Sequence, residues 1–310
     1  MLRRLLTFLC LTTALAACGS GSPPDNFLLG VSLLSPQALV AVGSQGRIFT
    51  SADGGQTFQA QTSGTTRDLS KALYFSATQL FAIGQKGTFL TSSDGGVTWV
   101  QQKTNIGDDL HDLQFLDANS GYVVGDNGLI LRTADGGVSW GGVNLPSGVV
   151  LNAISFANPN EAWVVGGAGS IYRTFDGGKS WGIQASGTQS LLWDVVAFDP
   201  QTAIAVGDSS AILRTTDGGA SWQKVQLGVL ANLRQLFFQP DHLNGIVVGQ
   251  NFIGRTADGG MTWQDITPAG DNLDGFEGVS FVGNSGVVVG DNDVVLRSDD
   301  FGNSFLPLNL

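Results

Sequence analysis

Residues 122–140 read YVVGDNGLILRTADGGVSW, and residues 204–222 read IAVGDSSAILRTTDGGASW. The two stretches are one unit written twice, and the rest of the chain repeats it. An Asp with the same surroundings begins the motif at Asp53, Asp94, Asp135, Asp176, Asp217, Asp258 and, in degenerate form, Asp300, at spacings of 41, 41, 41, 41, 41 and 42. Five residues after each stands an aromatic: Phe58, Trp99, Trp140, Trp181, Trp222, Trp263 or Phe305. About ten residues before each stands the glycine of a small-apolar–Gly pair: Gly43, Gly84, Gly125, Gly166, Gly207, Gly249 or Gly290. Two motifs kept in register through seven copies mark a repeat architecture.

Each copy reads as four short strands. In the third they fall at Leu110–Phe115, Gly121–Asp126, Leu129–Thr133 and Val138–Val143. Asp126-Asn127-Gly128 is a tight-turn signal between strands two and three. The glycines of Asp135-Gly136-Gly137 permit positive φ between strands three and four. Four-stranded units of this length are the blades of a propeller. The expected fold is therefore all-β, a seven-bladed β-propeller of four-stranded antiparallel blades over residues 27–310. Each repeat starts at its innermost strand and ends at its outermost, so no strand exchange between the first and last blades is evident.

Composition agrees. The chain of 310 residues holds 44 glycines, two glutamates (Glu161 and Glu277) and 13% charged residues, a profile of turns and strands rather than helix. A net charge of −11 excludes a nucleic-acid binder, which needs dense Lys and Arg.

The N-terminus reads as a targeting segment. Arg3 and Arg4 precede an apolar run, Leu5 to Ala14, too short to span a bilayer. Leu15-Ala16-Ala17-Cys18 resembles a bacterial lipobox. That resemblance implies that residues 1–17 are a lipoprotein signal peptide and that Cys18 is lipidated. Residues 18–26 then form the anchor and a flexible tether, Gly19 to Asn26. Loss of Arg3 and Arg4 takes the net charge from −11 to −13. Because Cys10 is discarded and Cys18 carries lipid, no disulfide can form, and stability must come from packing. The expected location is exported, membrane-held and periplasm-facing, at the outer membrane by the residue after Cys18, or on the lumen side of thylakoids in a photosynthetic source.

The Ser/Thr-x-Asp-Gly-Gly-x-Ser/Thr-Trp pattern resembles the Asp-box of BNR repeats. Its Asp can accept turn N–H groups and its Trp can fill the gap between blades; the motif speaks for fold, not chemistry. Over residues 27–310 the repeat is most similar to the Ycf48/HCF136 group of photosystem II assembly and stability factors. The resemblance implies a non-enzymatic protein that binds a membrane-protein subunit or envelope complex, without a cofactor, and a monomer is expected. Family members are associated with an arginine-rich surface, whereas residues 27–310 hold eight arginines.

Two sets of residues stand out above the repeat. Three positions before the motif Asp, blades three to seven carry Arg132, Arg173, Arg214, Arg255 and Arg297. This arc could grip carboxylates of a partner, or each guanidinium could pair with a local carboxylate or carbonyl. The second set comes from aligning the innermost strands on Leu33, Phe75, Phe115, Phe156, Phe198, Phe238 and Phe281. Four residues earlier stand Leu29, Lys71, His111, Asn152, Asp194, Arg234 and Glu277. Strand alternation puts the six polar ones on one face, around one mouth of the central channel. They either form a partner-binding site or satisfy one another as cross-blade ion pairs, for instance Lys71 with Glu277.

The enzyme alternative is a sialidase-like glycosidase, which needs an arginine triad and a Tyr nucleophile assisted by Glu. Tyr74, Tyr122 and Tyr172 occupy ordinary strand positions, and of the two glutamates only Glu277 approaches the channel. A carbohydrate-binding propeller would want an exposed channel aromatic; Trp193 is the candidate, read otherwise as inter-blade packing. His111 and His242 are isolated, so no metal site is expected.

Overall fold

The computed structural model describes residues 26–310 apart from 146, 147, 271, 272 and 274. The expected signal peptide, the expected lipidation site Cys18 and the expected tether through residue 25 lie outside the described residues. Among those described, twenty-eight strands form seven four-stranded antiparallel sheets, each with its strands in sequence order. The seven-bladed propeller expected from the repeat is the fold. Blades 1 to 7 span 28–61, 69–101, 110–144, 151–184, 192–224, 233–265 and 276–308. Among the described residues no strand is exchanged: blade 1 opens with β1 (Leu28–Leu33) and blade 7 closes with β28 (Leu306–Leu308).

The seven copies of each motif have a common physical cause. In the third Asp-box, Asp135 Oδ1 accepts from Thr133 Oγ1 (2.7 Å) and Ser139 N (2.9 Å), and Oδ2 from Ser139 Oγ (2.5 Å). Gly136 and Gly137 turn at φ 74° and 89°, where an L side chain is strained. This loop runs through Trp140, so the outer strand is Gly141–Asn144 rather than the expected Val138–Val143. At the other motif, a Cβ on Gly125 would overlap the carbonyl oxygen of Asp109, and the equivalent glycine of every blade meets the carbonyl preceding its own innermost strand. The second strand can end there only as glycine.

Seven apolar clusters hold the ring, one at each blade–blade interface, and each includes the aromatic that follows an Asp-box. Trp181, for example, packs with Tyr122, Val124 and Ile130 of blade 3 and Ile154 and Phe156 of blade 4; Trp140 does so between blades 2 and 3, and Phe58 between blades 7 and 1. The indoles plug the gaps as expected from the motif. Burial of apolar surface, about 25 cal/mol per Å², is thus spread evenly around a disulfide-free ring.

The innermost strands leave edge N–H and C=O groups that no fifth strand pairs, and unpaired backbone groups are costly when buried. Polar side chains bridge all seven interfaces instead. Tyr74 N donates to Ser32 Oγ (3.1 Å), Ser70 Oγ to Leu110 O (2.6 Å), and Ile154 N to Asp112 Oδ2 (3.0 Å). Asn152 Nδ2 donates to Leu192 O (2.7 Å), Leu236 N to Asp194 Oδ2 (2.8 Å), and Val279 N to Gln235 Oε1 (2.7 Å). Leu33 N to Ser280 Oγ (3.1 Å) closes the belt between blades 7 and 1.

Candidate functional site: the channel mouth

The belt positions the site. Every innermost strand carries an irregularity after its first residue, between Leu110 and Asp112 in blade 3 and at the matching place in the other six. A bulge breaks the strict two-residue alternation. The second and third residues of each strand therefore form two tiers at the same end of the channel. One tier holds Leu29, Ser70, His111, Asn152, Trp193, Arg234 and Glu277; the other holds Gly30, Lys71, Asp112, Ala153, Asp194, Gln235 and Gly278.

The six residues expected at the mouth, Lys71, His111, Asn152, Asp194, Arg234 and Glu277, all line one cavity of about 350 Å³ there. They do not form a single ring, however. Lys71 and Asp194 belong to the second tier. The innermost strands of blades 2 and 5 end at Tyr74 and Ala197, one residue before Phe75 and Phe198, so four residues back from those aromatics falls one position later than in the other blades. Ser70, Asp112, Trp193 and Gln235, which that alignment passed over as members of the set, line the same cavity, with Asp68 and Asp291 from neighbouring loops. Counting fourteen residues back from each blade's glycine retrieves the first tier in blades 1 to 5.

The charges are paired across blades, with partners other than Lys71–Glu277. Lys71 Nζ lies 3.1 Å from Asp112 Oδ1. Arg234 lies 3.2 Å from Asp208 Oδ1 and 3.5 Å from Glu277 Oε2, and its guanidinium covers the Trp193 ring at 4.4 Å. Trp193 Nε1 donates to Asp208 Oδ1 (2.9 Å), so Trp193 is a channel residue, not an inter-blade packing residue. His111 Nε2 stands 2.9 Å from Asp126 Oδ1.

Both cations of the lining are thus committed, against five carboxylates: Asp68, Asp112, Asp194, Glu277 and Asp291. Burial pushes the Asp194 carboxyl up to about 7, with Lys71 opposing and Asp112 adding to the rise. Burial likewise raises Glu277 to about 7, against Arg234 and with Asp291. For Lys71 burial works against the charge, but Asp112 and Asp194 outweigh it and its pKa is raised. The cavity is short of positive charge. Among the described residues no group of three or more His, Cys, Asp or Glu side chains is arranged to hold a metal.

The arginine arc lies on the opposite face, with the Asp-boxes, and four of its five members bind the next blade. Arg173 is 5% exposed. It pairs with Glu161 Oε2 (2.6 Å), donates to Pro200 O (2.6 Å) and to Gly218 O of the blade 5 box, and lies between the rings of Trp163 and Phe175. Arg214 Nε reaches Gly259 O (3.1 Å), Arg255 reaches Asn303 Oδ1, and Arg297 reaches Gly54 O (2.8 Å) and Asp299. These four serve as inter-blade staples, so the local-pairing reading holds for them. Arg132 differs: Tyr122 Oη makes the staple to Gly177 O (2.9 Å) in its place, and Arg132 is exposed. Repeat position alone could not separate it from the others.

The family model described as photosynthesis system II assembly factor YCF48 matches residues 91–181, 138–234 and 220–310. Among solved structures, one described as YCF48 bound to D1 peptide is 19% identical, with a TM-score of 0.72 over 89% of this chain and 92% of that one. YCF48 from Cyanidioschyzon merolae is 18% identical, with a TM-score of 0.70 over 90% and 97%. The xyloglucanase of the GH74 group from Xanthomonas campestris is 14% identical, with a TM-score of 0.64 over 90% of this chain and 60% of that one. At these identities the likeness is one of fold. A search of curated proteins returned no match.

Proposed function

Because the chain belongs to the photosynthesis system II assembly factor YCF48 family, we propose that it is a non-catalytic, lipid-anchored assembly or stability factor that takes an extended segment of a membrane-protein subunit at its channel mouth. The observation that carries this reading is the 350 Å³ cavity lined by two tiers of polar side chains. A relative is described as bound to a D1 peptide, which favours a peptide as ligand. Five carboxylates against two cations in the lining favour a segment that brings a Lys or Arg side chain. Exposed Arg132 offers a second contact on the other face.

Several features argue against catalysis. Both oxygens of Asp194 accept backbone N–H groups, of Val195 and Leu236, so this carboxyl is a structural acceptor. Glu161 pairs with Arg173 on the Asp-box face and Tyr122 is buried with its hydroxyl on Gly177, far in the fold from Glu277. Arg234 covers a face of Trp193, which disfavours sugar stacking there.

The test is a peptide array of extramembrane segments from the membrane proteins of the source organism, probed with the mature protein. Bound peptides should share a Lys or Arg, and the Glu277→Gln, Asp291→Asn protein should bind them about tenfold more weakly, about 1.4 kcal/mol. Unchanged affinity in that variant, or retention of acidic peptides alone, would overturn the reading.

A further inference from the structure

The place where the chain enters the propeller bears on which way the mouth faces. Phe27 lines the channel cavity itself, so the N-terminal segment meets the ring beside its central opening and not at its outer rim. The entry is clamped from two blades. Phe27 bridges to Asp291 of blade 7, its N–H donates to Ser44 Oγ (3.1 Å), and its carbonyl accepts from Ser44 N (2.9 Å) and Arg47 (3.2 Å). Asp293 N donates to Asn26 O (3.1 Å), and Arg47 pairs with Asp293 at 2.7 Å. The chain therefore leaves the body from a fixed point on the mouth face.

Eight residues, Gly19 to Asn26, separate Cys18 from Phe27. A stretch of that length can reach no more than about 30 Å. The Asp-box face lies beyond the mouth by at least a strand length, roughly 17–20 Å. We infer that the anchored propeller presents its channel mouth toward the bilayer and its Asp-box face away from it, so that the segment it takes is one leaving the membrane within the reach of the tether. This inference rests on the reading that Cys18 carries the anchor. The carboxylate surplus of the mouth has a role in this orientation. Anionic headgroups repel it over about one Debye length, roughly 8–10 Å, so the mouth hangs near the membrane without lying on it, and a peptide can enter from the side.

Two positions report the orientation. Leu230, in the loop from blade 5 to blade 6 on the mouth face, and Val138, at the tip of the blade 3 Asp-box, are each 87% exposed. In the mature lipidated protein Cys10 is gone and Cys18 is blocked, so Leu230→Cys or Val138→Cys supplies a single free thiol for a fluorophore. In vesicles with nitroxide-labelled headgroups, the dye at 230 should lose most of its emission and the dye at 138 little. A long Gly-Ser insertion between Ser22 and Pro23 should abolish the difference. Equal quenching at the two sites, or stronger quenching at 138, overturns the orientation while the anchor stands. An N-terminal peptide whose mass lacks acyl chains overturns the anchor and the orientation with it, and leaves peptide binding at the mouth to be judged by the array alone. The expected quenching order together with failure of the array would uphold the orientation and overturn the mouth as binding site.

Discussion

Arg173 and Arg132 occupy the same repeat position and should respond oppositely to removal. Arg173→Ala strips three partners at once: the Glu161 carboxylate and the carbonyls of Pro200 and Gly218. It also empties the slot between Trp163 and Phe175. Hydrogen bonds to a charged group contribute about 1.5–3 kcal/mol each, and breaking a buried ion pair costs about 3–5 kcal/mol. These overlap and do not add. The Glu161 side chain keeps 24% of its exposure and can be rehydrated, which places the cost near the lower end, about 3 kcal/mol. For a chain of this size that is roughly 6 °C in Tm. Arg132→Ala, losing an exposed side chain 5.9 Å above Tyr122, should cost no more than about 0.5–1 kcal/mol. Arg173→Lys should restore only part of the loss, because an ammonium cannot fork between carboxylate and carbonyls. Denaturant titration followed by tryptophan fluorescence measures all three. An Arg173→Ala loss below about 1 kcal/mol, or equal losses for Arg173→Ala and Arg132→Ala, would refute the stapling argument.

Trp181→Ala, which empties the plug between blades 3 and 4, should destabilise by about 2–4 kcal/mol in the same assay, somewhat under the figure for a fully buried ring; a loss below about 1 kcal/mol would show that the plug is dispensable. Stability should also depend on pH with two limbs of opposite sign. The box carboxyls of Asp53, Asp94, Asp135, Asp176 and Asp217 are held at about 2, chiefly by the Ser or Thr hydroxyl four residues on and then by its N–H, so their stabilisation is present above pH about 4 and lost as pH falls toward 2. Asp194 and Glu277, raised to about 7, act the other way: stability is full below their unfolded values and declines as pH rises through 7. Thermal melts should therefore peak near pH 4 and fall toward pH 7, and Glu277→Gln should flatten that fall; a Tm that rises from pH 5 to 7 in the wild type would contradict the assignment.

The repeat made the architecture legible, because each blade must solve the same turn and the same close approach. Asp135 with its two glycines and Gly125 against the Asp109 carbonyl are local necessities, and local necessities are written in local sequence. The mouth was legible in part. Its six expected residues converge on one cavity, but the bulge in every innermost strand cannot be read from residue types, and the terminal aromatics misled the alignment in blades 2 and 5. Partners across blades were not legible at all. Lys71 meets Asp112, and Arg173 meets Gly218, 45 residues on; the twist between blades sets such pairs, and no spacing encodes it. Trp163, fully buried with its Nε1 on Gln184 Oε1 (3.1 Å), was likewise hidden, standing where other blades carry Val40, Phe81 or Ile204.

The central claim is that a partner segment enters the channel mouth, and site-specific photo-crosslinking tests it most directly. A photoreactive residue placed at Ser70, at the mouth, and another at Val138, on the Asp-box face, are activated in intact cells and the adducts are sequenced by mass spectrometry. Adducts at Ser70 should map to an extramembrane segment of a membrane-protein subunit, carry a Lys or Arg near the linkage, and disappear in the Glu277→Gln, Asp291→Asn background. Adducts to such segments confined to Val138, with none at Ser70, would contradict the account.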